Sequence, residues 1–272
     1  MATLQYFSPL TPSLRHKCLI NKNFLWKFKK INSLHYTKKY LAGRDNNGRL
    51  ILFTRSKKKK TKIKIIDSHY NNYGIPGIYC RYEYDSKRSC FIVLVQFKNG
   101  IFCYLNSIDT LSIGCYFNSY SLFFFEKQQY AMNTGDRSFI YNIPVNSIIN
   151  NIEDFFYSGS KYCRSAGTYG ILIRKYYNIN KALIKLSSGK LKLISIFSKA
   201  CIGTNSNLEH KLISIGNAGR NRLFGIKPSV RGVAMNPVDH PHGGGEGKKS
   251  KKSSPRSAWG KMFKWIKTGS NI

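Results

Sequence analysis

Positive charge is piled at the two ends of this 272-residue chain. Residues 1–60 hold 15 Lys and Arg against one Asp, and residues 206–272 hold 13 against three acids, whereas residues 61–205 hold 17 against eight. The formal net charge is +33. Such ends repel themselves and attract polyanions, so a core is expected in the middle and a nucleic acid is the expected partner of the ends. A membrane fits less well. The strongest apolar stretch, CFIVLVQF at 90–97, has the length of a strand rather than of a span, and no segment keeps a lysine face opposite an apolar face for long.

The middle reads as β structure. TKIKIID (61–67) alternates, and GIYCRYEY (77–84), CFIVLVQF and GIFCYL (100–105) are rich in β-branched and aromatic residues, with turn composition in YDSKRS (84–89). A second group follows with GTYGILIRKYY (167–177), then KALIKL (181–186) and KLKLISIF (190–197), which the link SSG at 187–189 joins as a hairpin. Strands this short and this regularly spaced favour small barrels. The expected fold is mostly β: two consecutive barrels at about 45–120 and 125–205, between a basic, aromatic N-terminal extension (1–44) and a Gly/basic tail (206–272).

Seven cysteines, never spaced as CxxC, fit neither a disulfide framework nor a zinc knuckle; reduced, packed thiols are expected. The acid-free N-terminus is Ser- and Thr-rich like a mitochondrial presequence. Pro9 and Pro12 would interrupt the helix such a signal needs, so it is not read as a cleaved signal. The abundance of Lys, Asn, Ile, Phe and Tyr is what AT-rich codons write, as in an organelle-encoded gene.

The ends carry the candidate chemistry. Residues 21–41 interleave Phe24, Trp26, Phe28, Tyr36 and Tyr40 with cationic side chains, offering rings for bases and charges for phosphates; the alternative is a segment docked on the first barrel. From Gly216 onward glycines and prolines rule out long regular elements, and the segment is expected to take its order from a partner. Its densest stretch is NPVDHPHGGGEG at 236–247. As a metal site it offers His240, His242, Asp239 and Glu246, but converging geometry is required and the surrounding positive charge opposes a dication. As a hydrolytic site it lacks a nucleophile elbow. As shaped backbone every part has a use: Pro237 and Pro241 stiffen the path, and Gly243, Gly244 and Gly245 let phosphates or bases approach backbone N–H groups. The imidazoles can stack on bases and the carboxylates can accept from base amino groups.

VRGVAMNPVDHPHGGGEG (230–247) resembles the signature of the universal large-subunit ribosomal protein family called L-two. Further blocks resemble that family in order: GRDNNGR (43–49), YGIPGIYCRYEYDSKRSCFIVLV (73–95), NIPVNSIINNIE (142–153), RSAGTYG (164–170), SSGKLKLI (187–194) and GNAGR (216–220). The resemblance spans roughly residues 10–260 and implies an OB-type barrel followed by an SH3-like barrel, with basic extensions threading into ribosomal RNA. It implies a structural, non-enzymatic protein that orders rRNA near the peptidyl transferase region and supports subunit association and tRNA binding. An architectural role is expected for His240, because the family's reaction centre is RNA.

The same resemblance implies the rRNA-contacting set. From the end of the N-terminal extension into the first barrel these are Arg44, Asn46, Asn47, Arg49 and Arg55, with Lys57, Lys58, Lys59 and Lys60; in the second barrel they are Arg164, Ser165 and Gly167. In the tail they are Gly219, Arg220, Arg222, Lys227 and Arg231, then Asn236, Asp239, His240, His242 and Gly243–Gly245, and finally Lys248 and Lys249. RSKKKKTKIK (55–64) departs from the family's glycine- and histidine-bearing loop, and point charges are expected to replace backbone contacts there. Trp259, Phe263 and Trp265 are expected on RNA or on a neighbouring protein. No protein metal or cofactor is expected beyond magnesium that accompanies rRNA. The expected partners are large-subunit rRNA and neighbouring ribosomal proteins, with tRNA and the small subunit indirect, and with neither membrane nor homo-oligomer. The expected compartment is the mitochondrion, with plastid or bacterial cytoplasm as alternatives. Two other functions stay open: a general single-strand-binding OB module and a metal-dependent hydrolase.

Overall fold

The computed structural model describes residues 3–38, 40–56, 60–69, 71–72, 74–120, 132–246 and 254–264. Contacts divide the chain into two compact units, Met1–Lys39 with Lys60–Gly216, and Tyr40–Lys59 with Asn217–Ile272. Among the described residues no helix is long and apolar enough to cross a membrane. All seven cysteines are free thiols, five of them buried.

The first unit opens with a pair of short strands, β1 (Leu4–Tyr6) and β2 (Cys18–Ile20), and a second pair, β3 (His35–Lys38) with β4 (Thr61–Lys64). Then come β5 (Gly77–Glu83), β6 (Ile92–Phe97), β7 (Phe102–Asn106) and β8 (Tyr116–Phe117), an antiparallel sheet in the order β7-β6-β5-β8. Just past β4, Ile66 bridges in parallel to Tyr104 of β7, and the Asp67 N–H donates to the Tyr104 carbonyl at 3.0 Å. That bridge carries the β3–β4 pair onto the β7 edge and makes this the OB-type barrel. A bulge between Tyr79 and Arg81 adds one residue to β5 against β6 and bends the sheet.

The run CFIVLVQF lacks polar alternation because β6 is buried on both faces. Val93, Val95 and Phe97 join Tyr79, Leu105 and Phe117 in one cluster, while Ile92 and Leu94 join Tyr104 on the other side, under Ile31, Leu34 and Ile66. Residues 21–38 are partly docked on this barrel, although Phe24, Trp26, Phe28 and Tyr36 keep much of their rings exposed. Leu25 is buried with Ile20 and Phe91, Phe24 lies edge-on to Tyr82 and Phe91, and the Arg81 guanidinium sits 4.7 Å over the Trp26 ring. The docked alternative holds for these residues, since burying one large side chain is worth roughly 1.5–3 kcal/mol; Phe28 stays exposed beside Trp26.

The second barrel is SH3-like. Its strands are β9 (Arg137–Phe139), β10 (Ile148–Asn150), β11 (Ile152–Glu153), β12 (Ser160–Tyr162), β13 (Gly170–Tyr176), β14 (Lys181–Lys185), β15 (Leu191–Ser195) and β16 (Lys199–Ile202). Six form one sheet in the order β15-β14-β13-β10-β16-β9, and β11 pairs with β12. The SSG link makes the expected hairpin: β14 and β15 run antiparallel, the Leu186 N–H donates to Lys190 at 2.9 Å, and Gly189 turns the chain at φ +83°. The core is Ile140, Ile143, Ile149, Ile152, Leu172, Ile184 and Ile194. Residues 125–131, placed in this barrel from the sequence, lie outside the described residues.

A polar seam joins the barrels. The Asn106 amide donates to Asn151 Oδ1 at 2.7 Å, Asn151 donates to Asn150 Oδ1 at 2.7 Å, and Asn205 donates to the Cys163 carbonyl at 2.6 Å, all buried. Ser107 and Ser206 hydroxyls meet across the same seam. In the second barrel Arg137, fully buried, donates to Glu153 at 2.8 Å, and the other Glu153 oxygen accepts the Lys199 N–H at 3.1 Å. Bonded groups of this kind fix register, because sliding either barrel leaves several buried partners unmet.

Glu83 holds the first barrel's charge cluster. Its carboxylate meets Lys64 Nζ at 2.6 Å, Arg81 Nε at 2.9 Å and the Tyr104 hydroxyl at 3.0 Å. Burial alone would push this carboxyl up, but Lys64, Tyr104 and Arg81 together draw it below the usual glutamate value. A depressed carboxylate stabilises the fold fully above the unfolded value near pH ~4.3 and loses that contribution as pH falls through the folded value. Glu83→Gln is thus expected to cost about 3–5 kcal/mol at pH 7. Urea unfolding of the purified chain should show the gap to the native chain narrowing below about pH 4.

Candidate nucleic-acid interface

Among the described residues, no hydrophobic side chain of 40–56 or 217–264 is buried. The second unit is shaped by backbone hydrogen bonds and glycines. GRDNNGR closes an Asx-type turn in which the Asp45 carboxylate accepts from the Asn47 N–H at 3.0 Å and the Arg49 N–H at 2.7 Å. Arg44 donates to the Gly48 carbonyl at 2.8 Å, and Gly43 sits at φ +80°, where a Cβ would lie 2.2 Å from the Leu52 carbonyl oxygen. Arg44, Asn46, Asn47 and Arg49 are exposed around this turn. Arg55 bridges to Ile226, and the Lys227 N–H donates to Thr54 at 2.9 Å, leaving the Arg55 and Lys227 side chains exposed.

The tail's one α-helix among the described residues is α1 (Ala218–Leu223). Asn217 caps it by accepting from the Arg220 N–H at 3.0 Å. The helix exposes Gly219 and Arg222 and half-buries Arg220. Arg231 follows, exposed.

NPVDHPHGGGEG folds back on itself. The Asp239 and His240 N–H groups donate to the Asn236 carbonyl, Gly243 donates to His240 at 2.8 Å, and Gly244 donates to Met235 at 3.2 Å. The glycines serve this folding, which corrects part of the reading from sequence. A Cβ on Gly243 would lie 2.2 Å from the Asn236 oxygen, and one on Gly244, at φ +76°, would lie 2.5 Å from Pro237. Only Gly245, exposed at φ +95° with open space around it, keeps the expected freedom of approach.

Both imidazoles brace the fold. His240 Nδ1 accepts the His242 N–H at 3.0 Å, and His242 Nε2 accepts the Arg256 N–H at 3.1 Å. Each ring therefore spends one nitrogen as an acceptor toward the backbone, leaving His240 Nε2 and His242 Nδ1 as the remaining positions. Asn236 and Asp239 stay exposed beside them. No three His, Cys, Asp or Glu side chains converge as a metal-ligand set among the described residues.

Elsewhere, Arg164 and Ser165 are exposed next to Gly167, which turns at φ +65° with Leu208 close behind it, and Lys60 is exposed. Lys57, Lys58, Lys59, Lys248, Lys249 and Trp265 lie outside the described residues. Lys64, at the end of the RSKKKKTKIK stretch, is buried on Glu83 and does not serve as a surface charge. Two features of the second unit escaped the sequence reading. Gly232 admits the His240 ring, for which a Cβ would be 2.5 Å away, and Phe53 stacks on Trp259 at 5.0 Å and 8°. Only the unusual density of glycine and aromatic residues signalled them.

Residues 31–119 match the profile described as "Ribosomal Proteins L2, RNA binding N-terminal domain", and residues 133–260 match "Ribosomal Proteins L2, C-terminal domain". The large ribosomal subunit protein uL2 of Orientia tsutsugamushi is 40% identical over 268 residues, covering 98% of this chain and 95% of that protein. The chain belongs to the uL2 family. Other similar members are the uL2 proteins of Rickettsia massiliae, 39% identical, and Xanthobacter autotrophicus, 35% identical, covering 98% of this chain and 95% and 94% of theirs. Nearly the whole length aligns with these uL2 proteins, so the family membership covers the barrels and the NPVDHPHGGGEG segment alike.

The clashes around Gly243 generate a prediction. Gly243→Ala should prevent the Asn236–Gly243 closure. Gradient sedimentation should find the Gly243 variant depleted from large ribosomal particles. Unfolding of the barrels in that variant should stay within about 0.5 kcal/mol of the native chain, as for changes remote from a core.

Proposed function

We propose that this chain is a structural constituent of the large ribosomal subunit, with its two barrels as the folded body and its second unit and basic loops as the rRNA-contacting surface. The observation that carries the reading is the second unit itself, which is strongly basic, rich in glycines at positive φ and without one buried hydrophobic side chain among its described residues. Ordering a residue costs about 1–2 kcal/mol, and such a segment has no core with which to offset it. A polyanion offsets it through counterion release and charge-assisted contacts.

The rRNA contacts fall to Arg44, Asn46, Asn47, Arg49 and Arg55 on the 40–56 excursion, to Lys60 and the lysines 57–59, and to Arg164, Ser165 and Gly167 near the second barrel. In the tail they fall to Gly219, Arg220, Arg222, Lys227, Arg231 and the 236–249 segment. The tail lies against rRNA near the peptidyl transferase region, so that subunit association and tRNA binding depend on it indirectly. His240 acts as a brace rather than as a catalyst, which is supported by the backbone bond its Nδ1 accepts. The organellar reading is supported by the abundance of Lys, Asn, Ile, Phe and Tyr, residues that AT-rich codons write, and is compatible with relatives of alpha-proteobacterial type; the compartment proposed is the mitochondrion.

The alternative of a general single-strand-binding OB module is disfavoured by the relatives, which are uL2 proteins matched over nearly their whole length. Two measurements test the proposal. The chain should co-sediment with the large subunit, and recovery only in free fractions would sink the reading. Binding to large-subunit rRNA should weaken steeply with salt, and Arg231→Ala should lower the log–log salt slope by about 1, as for one phosphate contact.

A further inference from the structure

The second unit leaves two large rings in water, having no core in which to hide them. Phe53 and Trp259 stack face to face, with centroids 5.0 Å apart and planes 8° from parallel, yet each is 52% exposed. A ring that spends one face on its neighbour and still shows half of its surface keeps its other face open.

This platform is preformed from both sides. On the 40–56 excursion the Ile51 and Leu52 N–H groups donate to the Gly43 carbonyl at 2.8 and 3.0 Å and fix the chain that enters Phe53. On the tail, residues 255–263 close as a hairpin: the Ser257 N–H donates to the Lys261 carbonyl at 2.7 Å, the Phe263 N–H donates to the Pro255 carbonyl at 3.0 Å, and Gly260 turns at φ +81°. The Arg256 N–H, donating to His242 Nε2 at 3.1 Å, ties this hairpin to the NPVDHPHGGGEG fold. Next to Trp259 the backbone is bare, since a Cβ on Gly260 would meet nothing within 4 Å.

Charge around the stack selects its occupant. Arg256, Lys261 and Lys264 are exposed on or just after the hairpin, Arg55 is exposed two positions past Phe53, and residues 248–272 hold no Asp or Glu. An apolar face of another protein would desolvate these cations without an anion to meet them. A nucleotide brings a flat base for the ring and phosphates for the cations in one group.

We infer that the open face of Trp259 stacks on one unpaired base of the bound RNA, with Phe53 backing the ring and Arg256 and Lys261 on the flanking phosphates. The contact is indifferent to which base it meets, because every base has a π face. The inference rests on the rRNA-binding reading above and adds to it one stacking site, built jointly by the 40–56 excursion and the tail.

The test measures binding of the purified full chain to a large-subunit rRNA transcript over a range of salt concentrations. Trp259→Leu should weaken binding by roughly tenfold throughout, the loss carried by one stacked base, while the log–log salt slope stays that of the native chain, because a base contact releases no counterions. Trp259→Phe, which keeps a ring, should recover most of the affinity. Lys261→Ala should instead lower the slope by about 1. Unchanged affinity in Trp259→Leu refutes the stacking site, and so does a loss accompanied by a shallower slope, which would make the ring only a support for phosphate contacts. Native rRNA affinity in Trp259→Leu together with loss of a neighbouring protein from assembled particles refutes it too, and assigns the stack to a protein partner. Failure of the native chain to bind the transcript refutes the parent reading.

Discussion

The separation of apolar from cationic residues governs this molecule. All of the buried hydrophobic side chains among the described residues lie in the unit that contains the two barrels, while 40–56 and 217–264 are held by turns, caps, glycine-dependent closures, the histidine braces and one exposed ring stack. A hydrophobic core supports its own fold, since burial returns about 25 cal/mol per Å² removed from water. A basic backbone without one must find its compensation in a partner. The barrels are therefore a scaffold whose order is intrinsic, and the remaining chain is an adhesive surface whose order is conditional.

Polar chemistry inside the scaffold follows from that division. Short strands bury little area each, so register is secured by groups that tolerate only one arrangement: the Asn106, Asn151 and Asn205 amides between barrels, the Glu83 cluster in the first and the Arg137–Glu153 pair in the second. Such groups specify more than they stabilise.

Much of the scaffold was legible in the sequence, for identifiable reasons. CFIVLVQF announced a strand by its length and its β-branched and aromatic residues, and KALIKL-SSG-KLKLISIF announced its own hairpin, because both signals are local. The rings at 24 and 26 were not legible, since an aromatic residue that packs on a barrel and one that stacks on a base have the same spelling. The glycines at 243 and 244 were read as openings for a ligand. Their obstacles are Asn236 and Pro237, seven residues back along the chain, which pattern alone cannot place.

The Phe53–Trp259 stack and the strand-like contact of Arg55 with Ile226 join positions far apart in the chain. During synthesis the 40–56 excursion emerges early, pinched at its base by β3 and β4, and its mates are translated last. The barrels can mature on the nascent chain as soon as Gly216 has left the exit tunnel, whereas the adhesive surface is completed only after Ile226 and Trp259 have followed. The order of translation thus delays the stickiest part of the molecule until its scaffold already exists.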